Sequence, residues 1–150
     1  MTSDPFRLAR FLEAQERVYA QVRAELIAGR KRSHWMWFIF PQLAGLGSSP
    51  TARYYAIGSL REARAYLTQP TLGPRLRECT QLVLAVEGRT VAEIFGYPDD
   101  LKFRSSMTLF ARAGEESQPE DRTFGEALGR CFAGAPDPLT VSLLEQAGDP

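Results

Sequence analysis

The sequence is poor in the residues that build metal centres and disulfide frameworks. Its 150 residues include one histidine and two cysteines, Cys79 and Cys131, which have neither zinc-site spacing nor the pattern of a disulfide framework. The longest apolar run, Trp35 to Phe40, is far shorter than the ~20 residues of a membrane span. The N-terminus lacks the apolar core of a signal peptide. We therefore expect a cytoplasmic protein with no metal, no cofactor and no membrane partner.

Net charge is also absent. Eighteen basic residues balance eighteen acidic ones, which leaves little electrostatic drive for binding nucleic acid. The balance conceals two halves of opposite sign, because residues 1–75 carry 11 basic and 5 acidic side chains and residues 76–150 carry 7 and 13. Such halves are compatible with pairing between two copies, so monomer and homodimer both stay open. The length is typical of one domain, and we predict a single domain over residues 1–150.

Helix start and stop signals recur along the chain, and no segment alternates as a strand does. Three capping-box sequences and two pairs that end in proline mark helix starts: Ser59, Thr90, Thr123, Asp4–Pro5 and Ser49–Pro50. The apolar rhythm weakens at Gln15–Glu16, which fits either one bent helix or two helices. We read residues 35–40 as a buried helical turn. The sequence therefore predicts an all-α domain of six to eight short helices, ordered over about residues 5–147.

The unusual residues lie in three segments, and the first runs from His34 to Gln42. A histidine beside an indole suits a general base or proton carrier near neutral pH; the alternative for His34 is a structural tether to the core. On a helix Trp35 and Trp37 point about 200° apart. We expect one of them in the core and the other against a cleft, where an indole stacks on a planar ligand. Gln42 follows a rigid proline and suits recognition of donors and acceptors.

The other two segments are residues 54–62 and 100–110. Tyr55 is a candidate wall of a ligand pocket, and Glu62 a candidate for proton transfer, although its place in a capping box explains it fully. The later segment places two hydroxyls and two cations in one helix: Lys102, Arg104, Ser105 and Ser106. Serine is a poor helix former, and this set is typical of an anion or phosphate cradle. Close packing between helices is the alternative.

These segments resemble the family called domain of unknown function 1810. The resemblance rests on SHWMWFIFPQ from Ser33 to Gln42, Tyr55 to Ile57, Glu62-Ala63 and DLKFRSSMTLF from Asp100 to Phe110, and it extends from Asp4 to about Leu144. It implies a single multihelical domain of the mycobacterial conserved-hypothetical type and no established activity. Members are sometimes labelled calpastatin, for which the residues give no physical reason. A weaker resemblance, at scattered positions, extends to small helical ADP-ribose-processing proteins of the riboflavin-biosynthesis-associated kind and implies an N-glycosidase.

These observations favour a pocket protein or enzyme that acts on a phosphorylated or nucleotide-like small molecule, in its sharpest form an N-glycosidase of ADP-ribose-like compounds. His34 and Glu62 are then the predicted catalytic residues. Eight residues are predicted to bind the ligand: Trp35, Trp37, Gln42, Tyr55, Lys102, Arg104, Ser105 and Ser106. The alternative is a non-catalytic helical module that senses a ligand or binds a protein. A cleft that contains His34, Gln42, Lys102 and Ser106 together distinguishes the first hypothesis from the second.

Overall fold

Helices provide the regular structure of this protein. The computed structural model describes residues 3–114 and 118–148, and this part of the chain contains ten α-helices and one 3-10 turn, Pro119–Asp121. The helices are α1 (Ala9–Glu16), α2 (Tyr19–Ile27), α3 (Met36–Ile39), α4 (Pro50–Tyr54), α5 (Leu60–Thr68), α6 (Leu72–Ala85), α7 (Val91–Phe95), α8 (Asp99–Gly114), α9 (Arg122–Phe132) and α10 (Pro138–Gln146). The predicted all-α class is confirmed. The predicted number of helices is too low, because α1 and α2 are separate helices and the turn at residues 35–40 contains a helix of its own, α3.

Local capping starts several helices where the sequence predicts them. The Thr90 hydroxyl accepts the N–H of Glu93, whose carboxylate accepts the N–H of Thr90 in return, which completes the predicted capping box of α7. Ser49 caps α4 by accepting the N–H of Ala52. Ser59 likewise accepts the N–H of Glu62 at the start of α5.

The predicted capping box at Thr123 is wrong. Thr123 lies inside α9, and its hydroxyl is buried with no hydrogen-bond partner among the described residues. The helix begins one residue earlier because Asp121 ends the 3-10 turn. Asp121 is held there by Arg77 of α6, whose Nε lies 2.7 Å from its Oδ1.

The first helix also begins later than the sequence predicts. The prediction of Asp4 as the N-cap is wrong, because the N-cap of α1 is Leu8; the two carboxylate oxygens of Asp4 still accept the N–H groups of Leu8 and Ala9. Residues 5–6 form a turn instead of the first helical turn, and Arg7 has a positive φ of 54° that interrupts the helix. The weak rhythm at Gln15–Glu16 corresponds to two helices, because α1 ends at Glu16 and α2 begins at Tyr19.

The longest helix of the described residues, α8, lies at the centre of the packing. It contacts α5, α7, α9 and α10, and it buries Phe103, Met107 and Phe110. The predicted helical turn at residues 35–40 is α3, and Phe40, directly after it, meets the ring of Phe103 edge-on at 5.0 Å. No helix in the described ranges has both the length and the apolar character needed to cross a bilayer.

Candidate functional site

A cleft of about 480 Å³ opens where α3, the loop before α4, the first turns of α8 and the start of α10 meet. Trp37 and Gln42 line one side of it, and Lys102 and Ser105 on α8 line another. Asp137, which precedes α10, also lines it. We call this concavity the Trp37 cleft. Four of the predicted ligand-binding residues therefore lie together in it.

The ammonium group of Lys102 lies over the indole of Trp37. Its Nζ is 5.1 Å from the ring centroid and 3.3 Å from Oδ1 of Asp99. The other carboxylate oxygen of Asp99 lies 2.9 Å from Nζ of Lys31. The chain has only these two lysines, and both meet at one carboxylate. Asp99 and the indole face together hold the Lys102 ammonium at the cleft.

Several polar groups of the Trp37 cleft have no protein partner. The Gln42 carboxamide and the Trp37 indole N–H make no hydrogen bond within residues 3–114 and 118–148. The amide N–H groups of residues 46–49, whose loop lines the cleft, donate to no backbone carbonyl in the same ranges. These groups are free to bind a ligand that offers both donors and acceptors.

Trp35, in contrast, belongs to the core. It is 1% exposed, and its ring packs at 6.2 Å from Phe40 and 6.5 Å from Phe95. Its indole N–H donates to Oε1 of Glu25 at 2.9 Å. The two tryptophans thus divide between core and cleft, and Trp35 has no face left for a ligand. The helical spacing of about 200° does not apply to this pair, because Trp35 is the N-cap of α3 and its backbone is not helical.

Glu25 is a buried carboxylate that fixes the loop before α3. Besides Trp35, it accepts hydrogen bonds from the backbone N–H and hydroxyl of Ser33, the N–H of Arg32 and the amide of Gln21. Burial alone raises the pKa of this carboxyl, but these hydrogen bonds outweigh burial and lower the pKa to about 2. Glu25 therefore stays ionised and keeps Trp35 in the core.

The two predicted catalytic residues lie outside the Trp37 cleft. His34 is exposed on the loop before α3 and does not line the cleft. Glu62 is buried at the start of α5, where its carboxylate accepts the N–H of Gly58 at 3.0 Å and pairs with the guanidinium of Arg10 at 2.9 Å. These two partners give the Glu62 carboxylate a structural role.

Arg104 and Ser106, two of the residues predicted to form the anion cradle, are also engaged or enclosed by the protein. The Arg104 guanidinium donates to the carbonyls of Ala135 and Pro136, each at 3.0 Å, and so holds the segment before α10. Ser106 is 0% exposed, does not line the cleft, and has no hydrogen-bond partner among the described residues. The expected cleft that joins His34, Gln42, Lys102 and Ser106 is thus present for Gln42 and Lys102 only.

Ser105 lines the Trp37 cleft but is engaged by protein. Its Oγ lies 3.2 Å from the carbonyl oxygen of Leu101 and 3.1 Å from Oδ2 of Asp137. The same carboxylate oxygen accepts the N–H and hydroxyl of Thr140, which caps α10. Ser105 therefore ties α8 to the start of α10 and shapes the cleft wall.

A smaller concavity of about 100 Å³ adjoins the Trp37 cleft, and we call it the side pocket. Both spaces are lined by Trp37 and Gln42, and the side pocket is also lined by Tyr55 and Arg53. Tyr55 packs at 5.4 Å from Phe38, and burial raises the pKa of its hydroxyl. Tyr55 thus lies next to the other ligand-binding candidates, as a wall of the side pocket.

Sequence reasoning missed the rest of the lining. Asp137, Leu101 and Leu139 line the Trp37 cleft, and Arg53 lines the side pocket. Asp137 followed by Pro138 is typical of a helix start, so an N-cap at Asp137 is predictable from the sequence. The proximity of Asp137 to α8 is not predictable from the sequence, because it depends on packing between distant segments. The described residues hold no group of three or more histidine, cysteine or carboxylate side chains arranged for a metal ion.

Comparison with known proteins identifies relatives without a known activity. The model of the family DUF1810, described as a protein of unknown function, matches residues 5–144. The crystal structure of the conserved hypothetical protein Rv1873 from Mycobacterium tuberculosis is similar to this chain at 58% sequence identity and a TM-score of 0.90, over 95% of this chain and 99% of that chain. No curated protein matches the sequence. The comparisons therefore support the family and the fold, and leave function to the site.

Proposed function

This chain belongs to the DUF1810 family, and we propose that its Trp37 cleft binds a phosphorylated, nucleotide-like small molecule. One observation carries the proposal: a half-buried indole, an unpartnered carboxamide and an ammonium 5.1 Å from the indole ring face one cleft. Apolar walls with a few convergent polar groups are the usual composition of a small-molecule site.

The planar part of the ligand is assigned to Trp37. Trp37 belongs to α3, so its backbone is already positioned before a ligand arrives. Base–aromatic stacking contributes about 1–3 kcal/mol per base. Leu101 and Leu139 are exposed large apolar side chains on the same cleft, and a stacked ring covers such surface. Gln42 beside the ring suits the edge of a base, which offers donors and acceptors together.

The anionic part is assigned to Lys102 and the loop of residues 46–49. Lys102 has an exposed fraction of 28% for its side chain, so its ammonium reaches solvent from the cleft. Asp99 keeps Lys31 as a partner at 2.9 Å, and it therefore does not lose its only cation when Lys102 turns to a phosphate. The free N–H groups of the loop supply further donors for phosphate oxygens.

The proposal is limited to binding. Proton transfer requires a group within hydrogen-bond reach of the reacting atoms, and His34 and Glu62 lie outside the Trp37 cleft. Cleavage of an N-glycosidic bond therefore stays a prediction and is not part of the proposal. A sensing role without catalysis, the alternative from the sequence, is compatible with the same ligand and the same residues.

Isothermal titration with adenosine monophosphate tests the proposal. We expect Trp37→Ala and Lys102→Met each to weaken binding by about tenfold, the loss of one stacking contact or one charge-assisted hydrogen bond. Ile27→Ala is the matched control, since Ile27 is an exposed apolar residue that does not line the cleft. Circular dichroism and melting temperature check that each variant is folded.

Trp37→Phe covers the case in which the alanine variant unfolds, because phenylalanine keeps a ring in the same place. It should retain more affinity than Trp37→Ala and less than wild type. If wild-type protein binds neither adenosine monophosphate nor an adenosine compound with two phosphates, the proposed function is wrong. Equal loss of affinity in Ile27→Ala would also contradict it, because the Trp37 cleft would then not be the site.

A further inference from the structure

The side pocket shares part of its wall with the Trp37 cleft and has a cation of its own. Four residues line both spaces: Trp37, Gln42, Gly47 and Ala52. Lys102 lines only the Trp37 cleft, and Arg53 lines only the side pocket. A ligand that occupies both spaces therefore meets a different cation in each.

The Arg53 guanidinium is available to a ligand. It makes no ion pair or hydrogen bond within residues 3–114 and 118–148. Arg10 and Arg104 are different, because their guanidinium groups donate to backbone carbonyls and hold loops in place. Arg53 is exposed in the last turn of α4.

The size of the side pocket limits what it can hold. Its volume of about 100 Å³ equals about three water molecules at ~30 Å³ each. That is room for a small group such as a phosphate. Arginine is suited to such a group, because its planar guanidinium binds two phosphate oxygens at once and is always charged.

We propose that the ligand carries two phosphate groups, one near Lys102 in the Trp37 cleft and one against Arg53 in the side pocket. This inference rests on the proposed function, since it starts from a nucleotide-like ligand stacked on Trp37. The substrate class is then a nucleoside with two phosphates. They are either joined as a diphosphate or placed on two different ribose hydroxyls.

Titration of three adenosine compounds tests this inference: the 5′-monophosphate, the 5′-diphosphate and the 3′,5′-bisphosphate. Wild-type protein should bind at least one of the two doubly phosphorylated compounds about tenfold more tightly than the monophosphate, the gain from one charge-assisted hydrogen bond. Arg53→Ala should lose this preference and keep wild-type affinity for the monophosphate. Arg122→Ala, an exposed arginine that lines neither space, should behave as wild type. The compound that gains affinity identifies the arrangement of the phosphates.

The outcomes separate the two proposals. If wild-type protein binds all three compounds with equal affinity, or if Arg53→Ala keeps the preference, the two-phosphate inference is wrong and the proposed function stands. If wild-type protein binds none of the three, the proposed function fails and the inference fails with it. Loss of the preference in Arg122→Ala would show a general effect of charge and would also overturn the role of Arg53.

Discussion

The indole N–H of Trp35 donates to Oε1 of Glu25 at 2.9 Å, and this bond orients the segment that forms the candidate site. Trp35 is thereby held in the core. Trp37 comes two residues later, in α3, and lines the cleft. A buried carboxylate on α2 thus determines which of the two tryptophans is available to a ligand.

Replacement of Glu25 by glutamine removes the charge and keeps the shape. The pKa of Glu25 falls from 4.5 to about 2 in the folded protein, so ionisation favours folding. A lowered pKa contributes stability in full above the unfolded value of 4.5, and this contribution is lost as the pH falls towards 2. We expect Glu25→Gln to lower the free energy of unfolding by about 3 kcal/mol at neutral pH, and the difference from wild type to shrink below about pH 4. Urea unfolding at several pH values measures this difference in the free energy of unfolding. A difference that does not change with pH would contradict a stabilising role for the charge of Glu25.

Two helical glycines form a matched pair for substitution by alanine. A Cβ at Gly73 would lie 2.1 Å from the carbonyl oxygen of Leu67, whereas a Cβ at Gly125 on α9 meets nothing within 4 Å. We expect Gly73→Ala to destabilise the protein by about 1–3 kcal/mol or more, because α5 and α6 must move apart. Gly125→Ala should instead stabilise it by up to about 1 kcal/mol through helix propensity. Urea unfolding compares the two, and a harmless Gly73→Ala would contradict the close approach of these helices.

Glu62 is predicted to matter for folding and not for the ligand. Its carboxylate and the Arg10 guanidinium are both less than a tenth exposed, and removal of one partner from a buried pair costs about 3–5 kcal/mol. We expect Glu62→Gln to lower the melting temperature and to leave the affinity for adenosine monophosphate unchanged. His34→Ala, at an exposed position, should change neither. Loss of affinity or turnover without loss of stability in either variant would instead support the predicted catalytic role.

The neighbouring rings of Phe38 and Phe40 differ in burial. Phe40 is fully buried against Phe95 and Phe103, whereas Phe38 is half-buried beside Tyr55. Phe40→Ala should therefore cost about 3–5 kcal/mol through the cavity it leaves, and Phe38→Ala clearly less. Urea unfolding measures the free energy of unfolding of both variants. Equal losses of stability would mean that the partial exposure of Phe38 does not reduce its contribution to stability.

The sequence predicts the helices well where the signal is local. Thr90 and Ser49 cap the helices that follow them because the N–H groups they bind are only three residues away. Thr123 has the same local pattern, yet α9 begins before it, because Arg77 on another helix holds Asp121. A distant partner of that kind leaves no mark in the local pattern.

The same distinction explains the candidate site. The sequence predicts that one of Trp35 and Trp37 lies in the core and the other at a cleft. It also marks Lys102 as a ligand-binding candidate, through an unusual polar stripe on α8. Sequence reasoning could not find that Arg104 binds backbone carbonyls 31 and 32 residues away, or that Asp137 reaches the Trp37 cleft. These contacts depend on how α8, α10 and the loops pack.

Tryptophan fluorescence during titration with adenosine monophosphate tests the central claim most directly, because the chain has one tryptophan in the core and one in the cleft. We predict that the ligand quenches the emission of wild-type protein through stacking on Trp37. In Trp37→Phe the remaining emission comes from the buried Trp35 and should not change, although calorimetry still detects binding. Binding that leaves the wild-type emission unchanged, or that quenches Trp37→Phe equally, would contradict the assignment of the ligand to the Trp37 cleft.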